Sequence, residues 1–266
     1  MTYRDVDVAG LSIRLSESGS GDPLVVLHHS TGPLWTRVDD ELARSFHVIA
    51  PDLPGFGSST RPEDARSPRD LAIYISQLID ALGLDRVHLL GFGFGGWVAA
   101  ELATMNQRAL HTLTLVGAAG VRPREGFIHD PLLAGWIEYA RLGFSQQSTF
   151  DELFGDPPAP EIVERWDYSR EMTARLTWKQ WMWNLSLPPL LRGIQTPTLV
   201  VWGSDDAIVP IDCAHQYVEL IRNSRLETVF GVGHLVELED PDALCRLVKK
   251  FAVPALNVGP STAPVS

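Results

Sequence analysis

The sequence predicts an α/β fold: a mostly parallel central sheet, helices on both of its faces, and one helical insertion. Three observations carry that prediction. Short, continuously apolar runs alternate with segments of helical periodicity through residues 1–120. Strands that are apolar on both faces need cover on both faces, which is the signature of a parallel sheet. The alternation stops over residues 121–190, where no strand pattern is visible, and resumes at Thr198.

The elements follow in order. DVDVAGLSIRL, from Asp5 to Leu15, reads as two strands turning at Gly10. Leu24 to Leu27 (LVVL) is a short apolar strand, residues 35–44 look helical, and Phe46 to Ala50 is strand again. From Arg69 to Leu82 the apolar residues Leu71, Ile75, Leu78, Ile79 and Leu82 share one helical face. Ser67 before Pro68 is positioned as its N-cap and Gly83 as its stop. Val87 to Leu90 predicts a strand, Gly95 to Met105 a helix, and Leu113 to Val116 a strand. Residues 121–190 hold Trp136, Trp166, Trp178, Trp181 and Trp183, with prolines at 157, 158, 160, 188 and 189. They read as a helical lid with proline-rich hinges, set over the carboxyl edge of the sheet where open α/β sheets bind ligands. Thr198 to Trp202 then predicts a strand, residues 213–221 a helix, 225–230 a strand and 241–251 a last helix. The core is thus expected at 1–120 and 191–253, the lid at 121–190, and a small, polar, proline-rich disordered tail at 254–266.

Composition excludes several classes of function. The 266 residues are 45% hydrophobic and 21% charged, which is globular and not disordered composition. A net charge of −11 gives no overall cation excess to displace phosphate counterions, so no nucleic-acid partner is expected. Cys213 and Cys245 are the two cysteines, far apart and without a C-x-x-C partner, which argues against a disulfide framework or a thiolate metal site. MTYRDVDVAG has no apolar leader segment, and Leu89 to Ala100, uncharged but holding four glycines, is too short to span a bilayer. A cytoplasmic protein without a membrane partner is expected.

Five segments fall at predicted strand ends: HHSTG (28–32), DLPGFGSS (52–59), GFGFGG (91–96), WGSDDAIVP (202–210) and GVGHLVELEDP (231–241). In this order they resemble the α/β-hydrolase superfamily, in particular its lidded branch of small esterases, epoxide hydrolases, dehalogenases and carbon–carbon bond hydrolases. The resemblance spans residues of about 5–250. It implies a nucleophile elbow at GFGFGG, with the nucleophile position at residue 93. It implies a catalytic acid at Asp206, from the G-x-x-D-x-x-x-P spacing between Gly203 and Pro210, with Asp205 one residue away as the alternative. His234 matches the catalytic histidine, and the backbone amides of Ser30 and Phe94 match the oxyanion hole.

One departure changes the chemistry. Residue 93 is glycine, which has no side chain to form a covalent intermediate. Glycine suits the strained elbow backbone while leaving the nucleophile position vacant. Asp206 and His234 can still act as an oriented base, the helix starting near Phe94 still points its positive end at the site, and the space a serine would fill could admit a water. His29 stands where the family usually has glycine and is a possible pocket residue, as are Trp178 and Trp181 in the lid. His28, His29 and His234 match no metal-ligand spacing, so no metal site is expected.

No organic cofactor is implied. GFGFGG formally fits G-x-G-x-x-G, but it lies well into the sheet, and Leu115 and Val116 stand where the ribose-binding acid belongs. The resemblance implies a hydrolase of a small, largely apolar ester-, lactone- or thioester-like substrate that uses the His234/Asp206 pair to activate water. A cofactor-free proton-transfer enzyme, decarboxylase, carbon–carbon lyase or oxygenase, and a ligand-binding pseudoenzyme, are the alternatives.

Overall fold

A computed structural model describes residues 1–133, 135–179 and 181–256. Eight strands form one sheet in the order β1-β2-β4-β3-β5-β6-β7-β8. β1 (Thr2–Val8) and β2 (Leu11–Ser18) form an antiparallel hairpin, and β2 pairs antiparallel with β4 (Phe46–Pro51). β3 (Asp22–Leu27), β4, β5 (Val87–Phe92), β6 (Leu110–Val116), β7 (Thr198–Gly203) and β8 (Ser224–Val229) run parallel.

The apolar strand runs are explained by burial on both faces. Successive residues point to opposite sides, so Val25 and Leu27 pack into one apolar cluster while Leu24 and Val26 pack into the other. The first cluster is closed by α2 (Pro68–Ala81) and α3 (Gly93–Asn106), together with α8 (Ile211–Leu220). The second is closed by α1 (Arg37–Leu42) and α10 (Pro241–Leu256). Ser67 caps α2, its hydroxyl accepting from the Asp70 amide. α1 starts two residues later than expected because Thr36 and Asp39 close a capping box there, and it ends at Leu42. α10 continues through Leu256, so residues 254–256 of the expected tail are helical; the rest of that expectation, residues 257–266, lies outside the described residues.

Between β6 and β7 the chain forms α4 (Trp136–Leu142), α5 (Gln147–Phe154), α6 (Pro160–Thr177) and α7 (Leu187–Leu191). α6 buries Trp166, Ser169, Met172, Thr173, Leu176 and Thr177, a stripe at three- and four-residue spacing. That stripe meets the core directly: the Thr173 hydroxyl donates to the Ser30 carbonyl at 3.2 Å. Among the described residues, no helix is long and apolar enough to cross a membrane.

Candidate functional site

The chemistry-bearing residues converge at the carboxyl ends of β3, β5, β7 and β8. His28 and His29 follow β3, Gly93 follows β5, Asp206 follows β7, and His234 follows β8. Gly93 has φ +48°, so the chain turns from strand into α3 through the left-handed region. The start of α3 therefore points its unsatisfied amides, Phe94 among them, at the end of the sheet.

Asp206 and His234 are paired. The His234 Nδ1–H donates to Asp206 Oδ2 at 2.8 Å, with both side chains at most 5% exposed. The other Asp206 oxygen accepts from the Ile208 and Val209 amides at 2.9 and 2.8 Å, which fixes the carboxylate. Asp205 instead accepts from the Ser204 hydroxyl, so Asp206 is the partner of His234. Burial pulls the His234 pKa down, but the charge and hydrogen bond of Asp206, with the charge of Glu237, more than offset it, and the net shift is upward. With Nδ1–H committed to Asp206, Nε2 presents a lone pair towards the elbow. A Cβ built on Gly93 lies 3.0 Å from it.

The loop bearing His234 is held from two sides. Glu239, in the short helix α9 (Val236–Glu239), accepts from the Gly233 amide at 2.6 Å and from the Ser145 and Gln146 amides at 3.0 and 2.9 Å. That one carboxylate ties the His234 loop to the insert. Gly117, at the end of β6, has φ +55°, and a Cβ there would stand 3.0 Å from His234 Nδ1. Gly117→Ala is expected to cost about 1–3 kcal/mol in backbone strain and to push His234 off Asp206. Urea unfolding and the His234 ring NMR signals check both effects.

The expected vacancy at residue 93 is not vacant. The imidazole of His29 fills it: the same Cβ built on Gly93 overlaps His29 Nδ1. The ring is 8% exposed, stacks on Phe92 at 5.5 Å between centroids, and lies edge-on to His234 at 5.0 Å. Its Nε2 faces Glu237 Oε1 at 3.0 Å. The N–H direction misses that oxygen, so the contact is close but is not an aligned hydrogen bond. Among the described residues His29 Nε2 and Glu237 Oε2 have no hydrogen-bond partner. Gly93 and His29 are thus sterically matched, since any side chain at residue 93 would displace that ring.

The neighbouring His28 has a structural role. Its Nδ1–H donates to the His29 carbonyl at 2.7 Å and its Nε2 accepts from the Leu53 amide at 3.0 Å. Burial lowers its pKa to about 4, so the ring is neutral. Ser30 is buried, with its backbone carbonyl bound by Thr173 and its hydroxyl beside the buried Tyr139.

Two cavities meet at His29. One, of about 10 Å³, is bounded by His29, Ser30, Tyr139, Ile208, His234 and Leu235. That volume is roughly one water. The other, of about 650 Å³, lies between the core and the insert, lined by His29, Trp35, Phe92, Phe154, Trp166 and Glu237 among others. Trp178 and Trp181, expected at the pocket, are 71% and 65% exposed and line neither cavity. Trp178 lies just past α6 and so leaves its buried stripe, whereas Trp166 lies on it. Helical spacing from Trp166 to Leu176 is the signal that identifies the inward tryptophan. Glu237 has no such signal, being one of several acids in VELED.

Comparison with known proteins agrees with this architecture. The family model described as "Alpha/beta hydrolase family" matches residues 25–247. The chain is 31% identical to the 2-hydroxymuconate semialdehyde hydrolase of Pseudomonas sp. (strain CF600), over 95% of this chain and 94% of that one. It is 29% identical to the 2-hydroxy-6-oxo-2,4-heptadienoate hydrolase of Pseudomonas putida strain F1, over 93% and 95%. A solved meta-cleavage product hydrolase from Pseudomonas fluorescens IP01 superposes with a TM-score of 0.78 at 25% identity, covering 95% of this chain and 98% of that one. On the match across most of its length, the chain belongs to the alpha/beta hydrolase family.

Proposed function

We propose that this protein hydrolyses a small, largely apolar carbonyl compound of the ester, lactone or thioester class, and that it does so without a covalent intermediate. The observation that carries the reading is the buried His234–Asp206 pair with the free Nε2 of His234 aimed at the elbow. A neutral imidazole so oriented takes a proton from water while its carboxylate partner stabilises the cation that forms. The water-sized space beside His234 suits that step, and the amides of Ser30 and Phe94 are the expected donors to the developing oxyanion. The larger cavity, with its aromatic walls and with α5 and α6 as a lid, suits the organic part of the substrate. The two Pseudomonas relatives named as hydrolases support the reaction class, and both names carry a carbonyl, as semialdehyde or oxo.

The filled elbow also favours a second reading. Two imidazoles facing one point suit proton transfer or carbon–carbon cleavage on an enolisable ketone, for which a base and an acid suffice. One panel separates the two: p-nitrophenyl acetate, small lactones and a simple thioester on one side, and enolisable ketones in deuterated buffer on the other. The expected result is ester or lactone turnover with no initial burst, no adduct in intact-protein mass spectra, and no inhibition by a fluorophosphonate. Deuterium uptake by the ketones without hydrolysis would replace the first reading with the second. Binding without any turnover would overturn both.

A further inference from the structure

We propose that His29, anchored by Glu237, is a second proton-transfer residue, and that His29 and His234 share one proton across the elbow in place of the missing nucleophile. This rests on the reading of His234 as the proton acceptor and extends it to a residue that motif spacing does not assign. Four observations carry it. His29 Nδ1 lies where the nucleophile's side chain would begin, and His234 Nε2 faces the same point. Each ring has its own buried carboxylate, Asp206 at 2.8 Å from one and Glu237 at 3.0 Å from the other. The two rings are 5.0 Å apart between centroids. His29 also lines both cavities, so it is the ring that meets the water-sized space on one side and the organic pocket on the other.

The His234 tautomer follows from its hydrogen bond to Asp206, and the nearby Glu237 carboxylate favours the proton on His29 Nε2. His234 keeps its Nδ1 proton on Asp206, which leaves Nε2 as a lone pair. With the His29 Nε2 proton on the Glu237 side, His29 Nδ1 is a lone pair as well. Two nitrogens facing one point cannot both carry a proton there without repulsion, so one added proton serves the pair. One protonation state then supplies a base and an acid together. In hydrolysis, neutral His234 takes a proton from water and the hydroxide oxygen bonds to the carbonyl carbon. The carbonyl electron pair moves to its oxygen. When that pair returns, the bond to the leaving group breaks and the leaving atom takes the proton from His29 Nδ1. His234 now carries the proton taken from water, and its transfer to His29 restores the starting state. No oxidant, metal or second substrate enters the balance.

The charged and titratable groups around the pair come from every side. Asp206 after β7 faces His234, and Glu237 on α9 faces His29 while its charge also raises the His234 pKa. Asp39 on α1 stands near Glu237, with burial raising its pKa to about 6. Tyr139 on α4 borders the small cavity, its phenol held well above the ordinary range by burial. Neutral His28 adjoins His29. Glu237 is thus the carboxylate positioned to hold His29, and Asp39 the group whose ionisation would modulate it.

Nitrogen NMR of the histidine rings in the full chain, from pH 5 to 9, tests this without a substrate. The expected result is that the His29 and His234 ring signals move together in two shared steps, while His28 does not move. In His29→Gln the His234 midpoint should shift by at least about half a pH unit. Independent single-step titrations in the parent protein, or a His29 that never changes state, would overturn the proposal even if the variant fails to fold. On whichever panel substrate turns over, His29→Gln should lower kcat at least ~10-fold and remove the alkaline limb of the pH profile, where the acid loses its proton. Parental kcat with that limb intact would refute the role of His29 while leaving His234 as the base. A shared proton with no hydrolysis would refute the hydrolase reading while leaving the pair.

Discussion

Gly93→Ser alone is expected to produce no serine-hydrolase activity, whereas Gly93→Ser combined with His29→Gly is expected to produce it. The single variant meets two obstacles. At φ +48° any residue other than glycine is strained, and its Cβ overlaps His29 Nδ1. The combined cost is about 1–3 kcal/mol, because a stacked ring pinned between Phe92 and Glu237 has little room to retreat. The double variant removes the ring. It restores the His-Gly pair usual in the family and leaves His234 Nε2 facing the new hydroxyl. Labelling by a fluorophosphonate should appear only in the double variant. Ester hydrolysis should rise on the order of 10²-fold over the parent, because a fixed hydroxyl replaces a free water as the nucleophile. Labelling of the single variant to the same extent would show that His29 does not occupy the position that matters.

The second large effect falls on the base itself. His234→Ala removes the proton acceptor and is expected to lower kcat/KM by about 10²–10⁴-fold. Asp206→Asn should cost at least ~10²-fold for a different reason. An amide in that place donates to His234 Nδ1, so the ring takes the other tautomer and its Nε2 lone pair is lost from the elbow. The remaining carbonyl still accepts from Ile208 and Val209, so the fold should survive with little change in unfolding free energy. The acid limb of the pH profile distinguishes this from damage to the fold. Asp206 raises the His234 pKa, and a raised pKa means that activity falls away at a higher pH on acidification. Without the Asp206 charge, that limb should move to lower pH in whatever activity remains.

Much of this architecture is legible in the residues, and the part that is not has a physical cause. Leu24 to Leu27 and Thr198 to Trp202 show their strands because both faces are buried, so no charged residue interrupts the run. Asp206 and His234 are legible because each stands at a fixed distance from a strand end, and their motif order is kept although residue 93 is glycine. His29 is visible as an intrusion where glycine is usual. Its direction is not, since that depends on Phe92, Glu237 and the space left by Gly93, three segments that meet only in the folded chain. Glu237 and Glu239 illustrate the same limit: in VELED their roles, beside His29 and across to Ser145, depend on tertiary contacts that local pattern does not encode. Trp178 and Trp181 mislead because aromatic residues in an insertion suggest a pocket, whereas position on the α6 stripe decides which one faces inward.

Whether His234, held by Asp206, activates water in a site without a nucleophile is decided by kcat/KM for p-nitrophenyl acetate and a small lactone. Both are measured side by side for the parent protein and His234→Ala. The parent should turn over, and the rate should fall at least ~10²-fold in the variant, with both proteins equally folded. Equal rates in the two proteins would contradict the role of His234 as the base.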